Sequence, residues 1–338
     1  MKVKTLGIDI AKNKMQLHGV DSNGKIVLRK TLNRSQLAEF VATLPSCLIG
    51  MEACGGSNYW ARCFETFGHT VKLMSPQFVK PYVKSNKNDR NDAEAICEAV
   101  TRPNMRFVPI KNIEQQDMQS LHRVRSLQLK LRAALVNQIR GLLAEYGIVL
   151  PQQIQNVRAY LARHLDDENE LTVIARQLFT DLYEDLCSLD KRIKACDNQL
   201  KSIYEANEVC QRIGEVEGIG VVSATIMVSI LSTQANEFKN GREFSAWLGL
   251  VPRQCSSGGK QVLLGISKRG DRYVRSLLIH GARSVVSRAS QKKDARSRWV
   301  TELRERRGFN KAIVALANKN ARVVWSLIKN NQAYQKAA

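Results

Sequence analysis

Nowhere in this chain do 18 apolar residues run together, so no helix that crosses a bilayer is expected. The opening MKVKTLGIDI passes into a polar-interrupted strand pattern without the apolar centre of a secretion signal, which points to a cytosolic protein. None of the eight cysteines forms a CxxC pair, and the five histidines are scattered without ligand spacing, so structural zinc is not expected. In a reducing compartment the thiols read as small core residues, with Cys255 the only one near a suspected site. A GxxxxGK phosphate loop is missing, which argues against nucleotide hydrolysis, and so is an aromatic RNA-recognition signature.

Acids are also scarce. Against 52 Lys and Arg stand 31 Asp and Glu, a net charge of +21. Between Arg253 and Lys329 lie 19 cations and four acids (Asp271, Asp294, Glu302, Glu305), so +15 of the charge sits in that stretch. The cations alternate with apolar helical positions, which assigns them to a folded basic surface and implies a polyanionic partner, nucleic acid first of all. A hydrophobic fraction of 44% over 338 residues supports real cores in two or three domains.

Two of the few acids stand out. In Asn86–Asp92, NKNDRND, Asp89 and Asp92 are three residues apart just before an Ala-rich helical run, which puts both carboxylates on one helix face. At about 4 Å two such charges repel by roughly 4 kcal/mol at an effective dielectric near 20, a cost that water or a cation relieves. An isolated DxxD is more often a solvated helix start, where acids favour the macrodipole. The rest of the chain has to decide.

From the N-terminus, strands are expected over Val3–Asp9, Met15–Val20 and Ile26–Leu32, the last two joined by the hairpin signal Asp21-Ser22-Asn23-Gly24. A helix over Ser35–Leu44, a strand over Cys47–Glu52, a helix through Trp60 and Phe64 to Gly68 and a strand over Thr70–Met74 follow. The order βββαβαβ predicts a mixed sheet with helices on its faces. Asp9 then ends the first strand and Glu52 the fourth. This order, with DxxD opening a later helix, resembles the RNase H and RuvC-like nuclease fold over about residues 1–105. The resemblance implies that strands one and four are neighbours and that Asp9, Glu52, Asp89 and Asp92 converge. An all-oxygen set of that kind suits Mg²⁺ (or Mn²⁺), which takes few carboxylates plus substrate phosphate.

Residues 114–146 carry a helical pattern (Leu121, Val124, Leu127, Leu131, Leu135, Ile139, Leu142). A second long helix over roughly Glu170–Glu205 carries a heptad seam, Ala175 to Ile203, that serves either a hairpin within the chain or a coiled coil between chains. Further on, Gly218-Ile219-Gly220 resembles a helix-hairpin-helix turn whose backbone N–H groups approach phosphate, although an ordinary helix-helix turn reads equally well. Residues Cys255–Lys260 read as a polar loop.

Taken in order, GIDIAK, EACG, NKNDRNDAEAI, VEGIG and WLGLVPRQCSSGGKQVLLGISKRGDRYVRSLLIHGAR resemble the DEDD insertion-sequence transposases of the IS110/IS1111 type, the bridge-RNA-guided recombinases, over nearly the whole chain. Glu217 departs from the proline that many relatives carry there. The resemblance implies a RuvC-like DEDD domain (1–108), a coiled-coil helical region (109–207) and a mainly helical C-terminal transposase domain (208–338). It places the acidic, metal-binding tetrad at Asp9, Glu52, Asp89 and Asp92, and a serine nucleophile at Ser257, next to Ser256. For nucleic-acid contacts Gly218, Gly220, Arg253, Lys260, Lys268, Arg269 and Arg272 are expected. The implied partners are donor and target DNA, a guide (bridge) RNA and three further copies of the chain, a tetramer built as a dimer of dimers, without a membrane and near the bacterial nucleoid. A Mg-dependent DNA or Holliday-junction endonuclease that hydrolyses is the alternative. A non-catalytic nucleic-acid binder and, from His280-Gly281-Ala282-Arg283 and Tyr334, a tyrosine recombinase are weaker ones.

Overall fold

The computed structural model describes residues 2–84, 88–164 and 171–335, so Asn86 and Lys87 of the NKNDRND stretch and Glu170 lie outside the described residues. Two compact units divide the chain, residues 1–113 and 114–338.

The first unit follows the expected order. β1 (Thr5–Asp9), β2 (Lys14–Val20) and β3 (Ile26–Asn33) form an antiparallel meander. The turn into β3 works as DSNG dictates: an Asp21 side-chain oxygen accepts from the N–H groups of Asn23 and Lys25, and Gly24 takes φ 76°. α1 (Arg34–Ala42), β4 (Leu48–Glu52), α2 (Ser57–Thr66) and β5 (Thr70–Met74) come next, then α3 (Pro76–Val79), α4 (Asp89–Ala99) and β6 (Phe107–Val108). The sheet order is β3-β2-β1-β4-β5-β6, with β4 parallel to both β1 and β5 and β6 antiparallel at the edge. Strands one and four are therefore neighbours. Leu6, Ile8, Ile49 and Met51 pack into a core with Leu37 and Val41 of α1 and Trp60 and Phe64 of α2.

In the second unit α5 (Ile113–Ala144), α6 (Ile154–His164) and α7 (Val173–Ala206) pack together through Ile139, Leu143, Val157, Leu161, Phe179 and Leu186. Arg125 pairs with Asp197 and Arg132 with Asp190, so α5 and α7 run antiparallel and the α7 seam finds a partner within the chain. On α7 the buried positions are those of the heptad pattern, Ala175, Phe179, Leu186, Ile193, Cys196 and Leu200. On α5 the row facing α7 is Arg125, Gln128, Arg132 and Ile139, whereas Val124, Leu127 and Leu131 of the apolar pattern are about half exposed. That apolar pattern mixes two faces of one helix.

α8 (Glu208–Gly214), α9 (Val221–Gln234), α10 (Gly241–Trp247), α11 (Arg272–Arg288), α12 (Ala295–Arg307) and α13 (Phe309–Lys329) complete the unit, with a two-stranded sheet of β7 (Pro252–Gln254) and β8 (Leu263–Ile266). α9 is apolar on all sides and lies inside the core, as such helices must. The architecture is thus a mixed α/β sheet unit followed by a mainly helical one. Among the described residues no helix is long and apolar enough to cross a membrane.

Candidate active site

Gly7 lies in the middle of β1, two residues before Asp9. A Cβ there would sit 2.3 Å from the Ala93 carbonyl oxygen and 2.5 Å from the Cys97 nitrogen, so the bare backbone lets α4 rest directly on the strand. Gly50 in β4 repeats the device against Val100. Asn88 caps α4 by accepting from the Asn91 N–H, which fixes Asp89 and Asp92 in the first turn. The outcome is a cluster in which carboxylate oxygens of Asp9, Asp89 and Asp92 all lie within 4.8 Å of one another. Spacing alone anticipated the shared face of Asp89 and Asp92; the seat on Gly7 supplies Asp9.

Glu52 ends β4 beside the end of β1, one residue beyond the pairing of Ile8 with Met51, and it stands outside the three-carboxylate cluster. The remaining acids of α4 do other work: Glu94 pairs with Arg29 and Lys84, and Glu98 with Lys84 and Arg102. The cluster's donors are all oxygens on rigid elements, a set that fits a hard divalent cation and not zinc.

Cys255 is not alone in lying near a candidate site. Cys54, two residues after Glu52, is exposed, and its thiol is pushed up by partial burial and by the carboxylates of Glu52 and Asp9. Its place in EACG, straight after the acid at the end of β4, was the sequence signal. Cys47, Cys97 and Cys210 are the core thiols expected, each raised by burial, to about 11, about 11 and about 12.

Ser257 sits elsewhere, in the second unit. The stretch read as a polar loop is the end of a β-hairpin: β7 pairs with β8, Cys255 donates to the Val262 carbonyl, and Ser257 bridges Lys260 across Gly258 and Gly259. Both glycines have positive φ, 55° and 77°, the requirement of a tight hairpin turn. Gly-Gly between VPRQ and QVLLGI carried that signal. Ser257, Arg253, Lys260, Lys268, Arg269 and Arg272 are all exposed, on the hairpin or just after it, so the basic residues cluster around the serine along the chain.

The hairpin's base is clasped. A Cβ on Gly270 would lie 1.9 Å from the Trp247 carbonyl oxygen, and one on Gly249 2.3 Å from that of Arg269; both glycines have positive φ. Buried Arg275 donates to the carbonyls of Leu248 and Arg269 and locks the two turns together. Gly218 serves a similar close approach, with a Cβ placed 2.9 Å from the Gly281 carbonyl, while Gly220 is exposed at the start of α9. Glu217, the departure from proline, engages Lys292 through its carboxylate at 2.7 Å and accepts from Arg296 and Asn320 through its carbonyl.

His122 of α5 is buried between two hydroxyls. Thr225 Oγ donates to the Val221 carbonyl, so His122 Nε2–H donates to Thr225, and Nδ1 accepts from the Tyr273 hydroxyl. Burial, aided by the Arg125 cation, lowers the imidazole to about 4. Sequence spacing offered no sign of it.

Comparison with known proteins gives this geometry a context. Residues 6–148 match the IS110-type DEDD transposase family model, and residues 210–298 match the model described as Transposase IS116/IS110/IS902 family. The chain is similar to a probable family 20 transposase of Pseudomonas aeruginosa, 47% identical over 99% of both chains. It is 45% identical to the transposase for insertion sequence element IS1111A of Coxiella burnetii, over 99% of this chain and 92% of that one. The chain belongs to the IS110/IS1111 transposase family. A further member, the transposase for insertion sequence element IS1328 of Yersinia enterocolitica, is 40% identical over 99% of both chains. As a member of this family the protein is an enzyme acting on DNA, and the cluster of Asp9, Asp89 and Asp92 lies inside the stretch that matches the DEDD transposases. Ser257 lies inside the second matched stretch.

Proposed function

We propose that this transposase cuts and rejoins DNA through Ser257, with Asp9, Glu52, Asp89 and Asp92 holding Mg²⁺ (or Mn²⁺). The observation that carries the reading is the convergence of three carboxylates within 4.8 Å on α4 and β1, a like-charge arrangement whose repulsion a bound cation relieves as water does, and whose all-oxygen donors suit a divalent ion. The strand order and the acid at the end of β4 support a RuvC-like, RNase H type of first domain over residues 1–108. When bound, the cation supplies stabilisation of charge on attacking and leaving oxygens.

In the proposed reaction the Ser257 oxygen forms a bond to a DNA phosphorus as the bond to one strand oxygen breaks; the serine proton is lost and the departing strand end takes one up as a free hydroxyl. The phosphodiester survives as a protein–DNA ester, which a second strand's hydroxyl reopens, restoring the serine. No nucleotide triphosphate is consumed. Exposure at a tight turn among Arg253, Lys260, Lys268, Arg269 and Arg272 suits the approach of a phosphate backbone, and Gly220 offers the start of α9 as a further phosphate contact, with Gly218 setting the turn.

The further readings are a guide RNA that selects donor and target, a coiled-coil region over 109–207, a serine domain over 208–338, and a tetramer in the bacterial cytoplasm, close to the nucleoid. The half-exposed Val124, Leu127 and Leu131 support assembly through α5. Denaturing gels of protein incubated with element-end DNA and Mg²⁺ test the central claim: a covalent adduct in wild type, absent in Ser257→Ala, is expected, and an adduct that survives the substitution sinks it. One observation favours a second reading, metal-dependent hydrolysis: the three clustered carboxylates all belong to the first unit. Free hydroxyl ends without attached protein would select that alternative.

A further inference from the structure

A groove of about 1490 Å³ lies within the second unit. Its floor is the outward face of α13, where Lys311, Ala315, Asn318, Lys319 and Arg322 recur at helical steps, while Ile313, Leu316, Ala317 and Ala321 of the same helix face the core. One wall is the start of α10. There a Cβ on Gly241 would come within 3.0 Å of the Arg322 backbone, so glycine sets how closely the wall meets the floor. The other wall is β8, from Leu263 to Ile266, the strand that returns from the hairpin tip at Ser257.

The chemistry of the lining is lopsided. Arg242, Lys311, Lys319 and Arg322 contribute four cations, no acid lines the groove among the described residues, and α13 contains no acid over its 21 residues. Between the cations lie apolar surfaces: Leu263 and Leu264 are exposed, and Trp299 carries the Lys319 ammonium 4.5 Å from its ring centre. A ligand that is only apolar would leave the cations unanswered. A duplex answers them with phosphates but keeps its base faces stacked inside. An unpaired strand offers both phosphates and bare base faces, which is what aromatic and apolar platforms between cations hold.

We propose that this groove binds a single-stranded nucleic acid segment, its phosphates on Arg242, Lys311, Lys319 and Arg322 and its unstacked bases on Leu263, Leu264 and Trp299. A displaced DNA strand and an unpaired stretch of RNA share that chemistry. The inference rests on the strand-joining reading only for where the strand comes from; binding itself needs neither Ser257 nor the carboxylates. Because β8 continues to the hairpin tip, a strand in the groove is tethered on the serine's own supporting element.

The test uses the full-length chain in metal-free buffer with fluorescently labelled 12-nucleotide single-stranded DNA, the same sequence as RNA, and the DNA duplex, read by anisotropy. Lys319→Glu with Arg322→Glu, both exposed, removes groove charge, and Ala315→Phe fills the floor without altering charge. Arg283→Glu with Lys293→Glu makes the same charge change outside the groove. Both groove variants are expected to lose about tenfold or more in single-strand affinity, with Ala315→Phe leaving duplex binding intact and the outside pair costing no more than about threefold. The stronger of the DNA and RNA arms identifies the strand. Photocrosslinking of a 5-iodouracil strand is expected to label Trp299. Thermal melting checks folding, and the charge pair, which buries nothing, stands in if Ala315→Phe unfolds. Groove variants that match the outside pair, or single-strand and duplex affinity falling together in Ala315→Phe, overturn the proposal. Absence of a covalent adduct in wild type would instead count against the strand-joining reading and leave the groove result standing.

Discussion

Around Asp9 the chain is packed backbone against backbone; around Ser257 it is packed against almost nothing. The carboxylates sit on a strand and a helix so close that Gly7 tolerates no side chain, and Ile8 and Met51, next to the acids, are fully buried. The serine stands at the end of a two-stranded sheet whose residues are nearly all exposed, held at its base by the clasp of Gly249, Gly270 and Arg275. An isolated hairpin is marginal in water. The contrast suggests that the acid site is organised before substrate arrives, while the hairpin takes its final order from what it grips.

The largest effects on this division come from the reacting groups themselves. Asp92→Ala and Ser257→Ala are each expected to reduce DNA strand cleavage by about 10³-fold or more, with near-UV circular dichroism unchanged. A cleaving Ser257→Ala chain would leave only the acid site as catalytic.

Acid should next separate the two units. The folded-state value of His122, about 4, lies below the ordinary 6.5, so its contribution to stability is complete above pH 6.5 and is lost as pH falls toward 4. That depression corresponds to about 3 kcal/mol at full effect. Since His122 joins α5 to α9 and α11, the loss belongs to the second unit. His18 in the first unit is also depressed by burial, against the pull of Glu94, so calorimetry has to compare wild type with His122→Gln. A shallower fall in the second unit's melting temperature below pH 6.5 is expected in the variant; identical slopes would refute the assignment.

Smaller still is the effect of lifting α4. Gly7→Ala forces the helix off β1, and a displacement of about 1 Å is expected to lower cleavage about 10²-fold while duplex affinity stays within a factor of three. Equal losses in both would mean that the substitution damages the whole unit. The smallest change is expected on the hairpin: Leu263→Ser, at a residue 63% exposed, should alter folding stability by less than about 0.5 kcal/mol in urea titrations. A larger destabilisation would show that the hairpin is already packed, and the contrast would fail.

Much of this is legible in the sequence. The DSNG turn, the alternating strands and DxxD before an Ala-rich run encode the sheet and the start of α4, because those signals are local. The acid at the end of each of two strands became meaningful once those strands were neighbours. The rest is tertiary. Gly7 looks like any strand glycine until α4 is laid on it, and Gly249 and Gly270 are 21 positions apart in sequence but meet through their turns. On α5 the apolar pattern marks a helix, yet in its first half the row that meets α7 is shifted by one residue, since Arg125 and Arg132 find aspartates there, while Ile139 of the pattern itself joins the shared core. His122 gave no signal because its partners, Thr225 and Tyr273, are each over 100 residues away.

The order of the acids along the chain has a consequence for synthesis. β1, β4 and α4, which carry all four, end at Ala99, whereas Ser257 leaves the ribosome about 160 residues after Asp92, roughly 10–30 s later at ordinary translation rates. For that interval a nascent chain can hold a finished carboxylate site without its serine, and a chain cut short there keeps the acids while losing the nucleophile and the basic surface that would bring DNA to them.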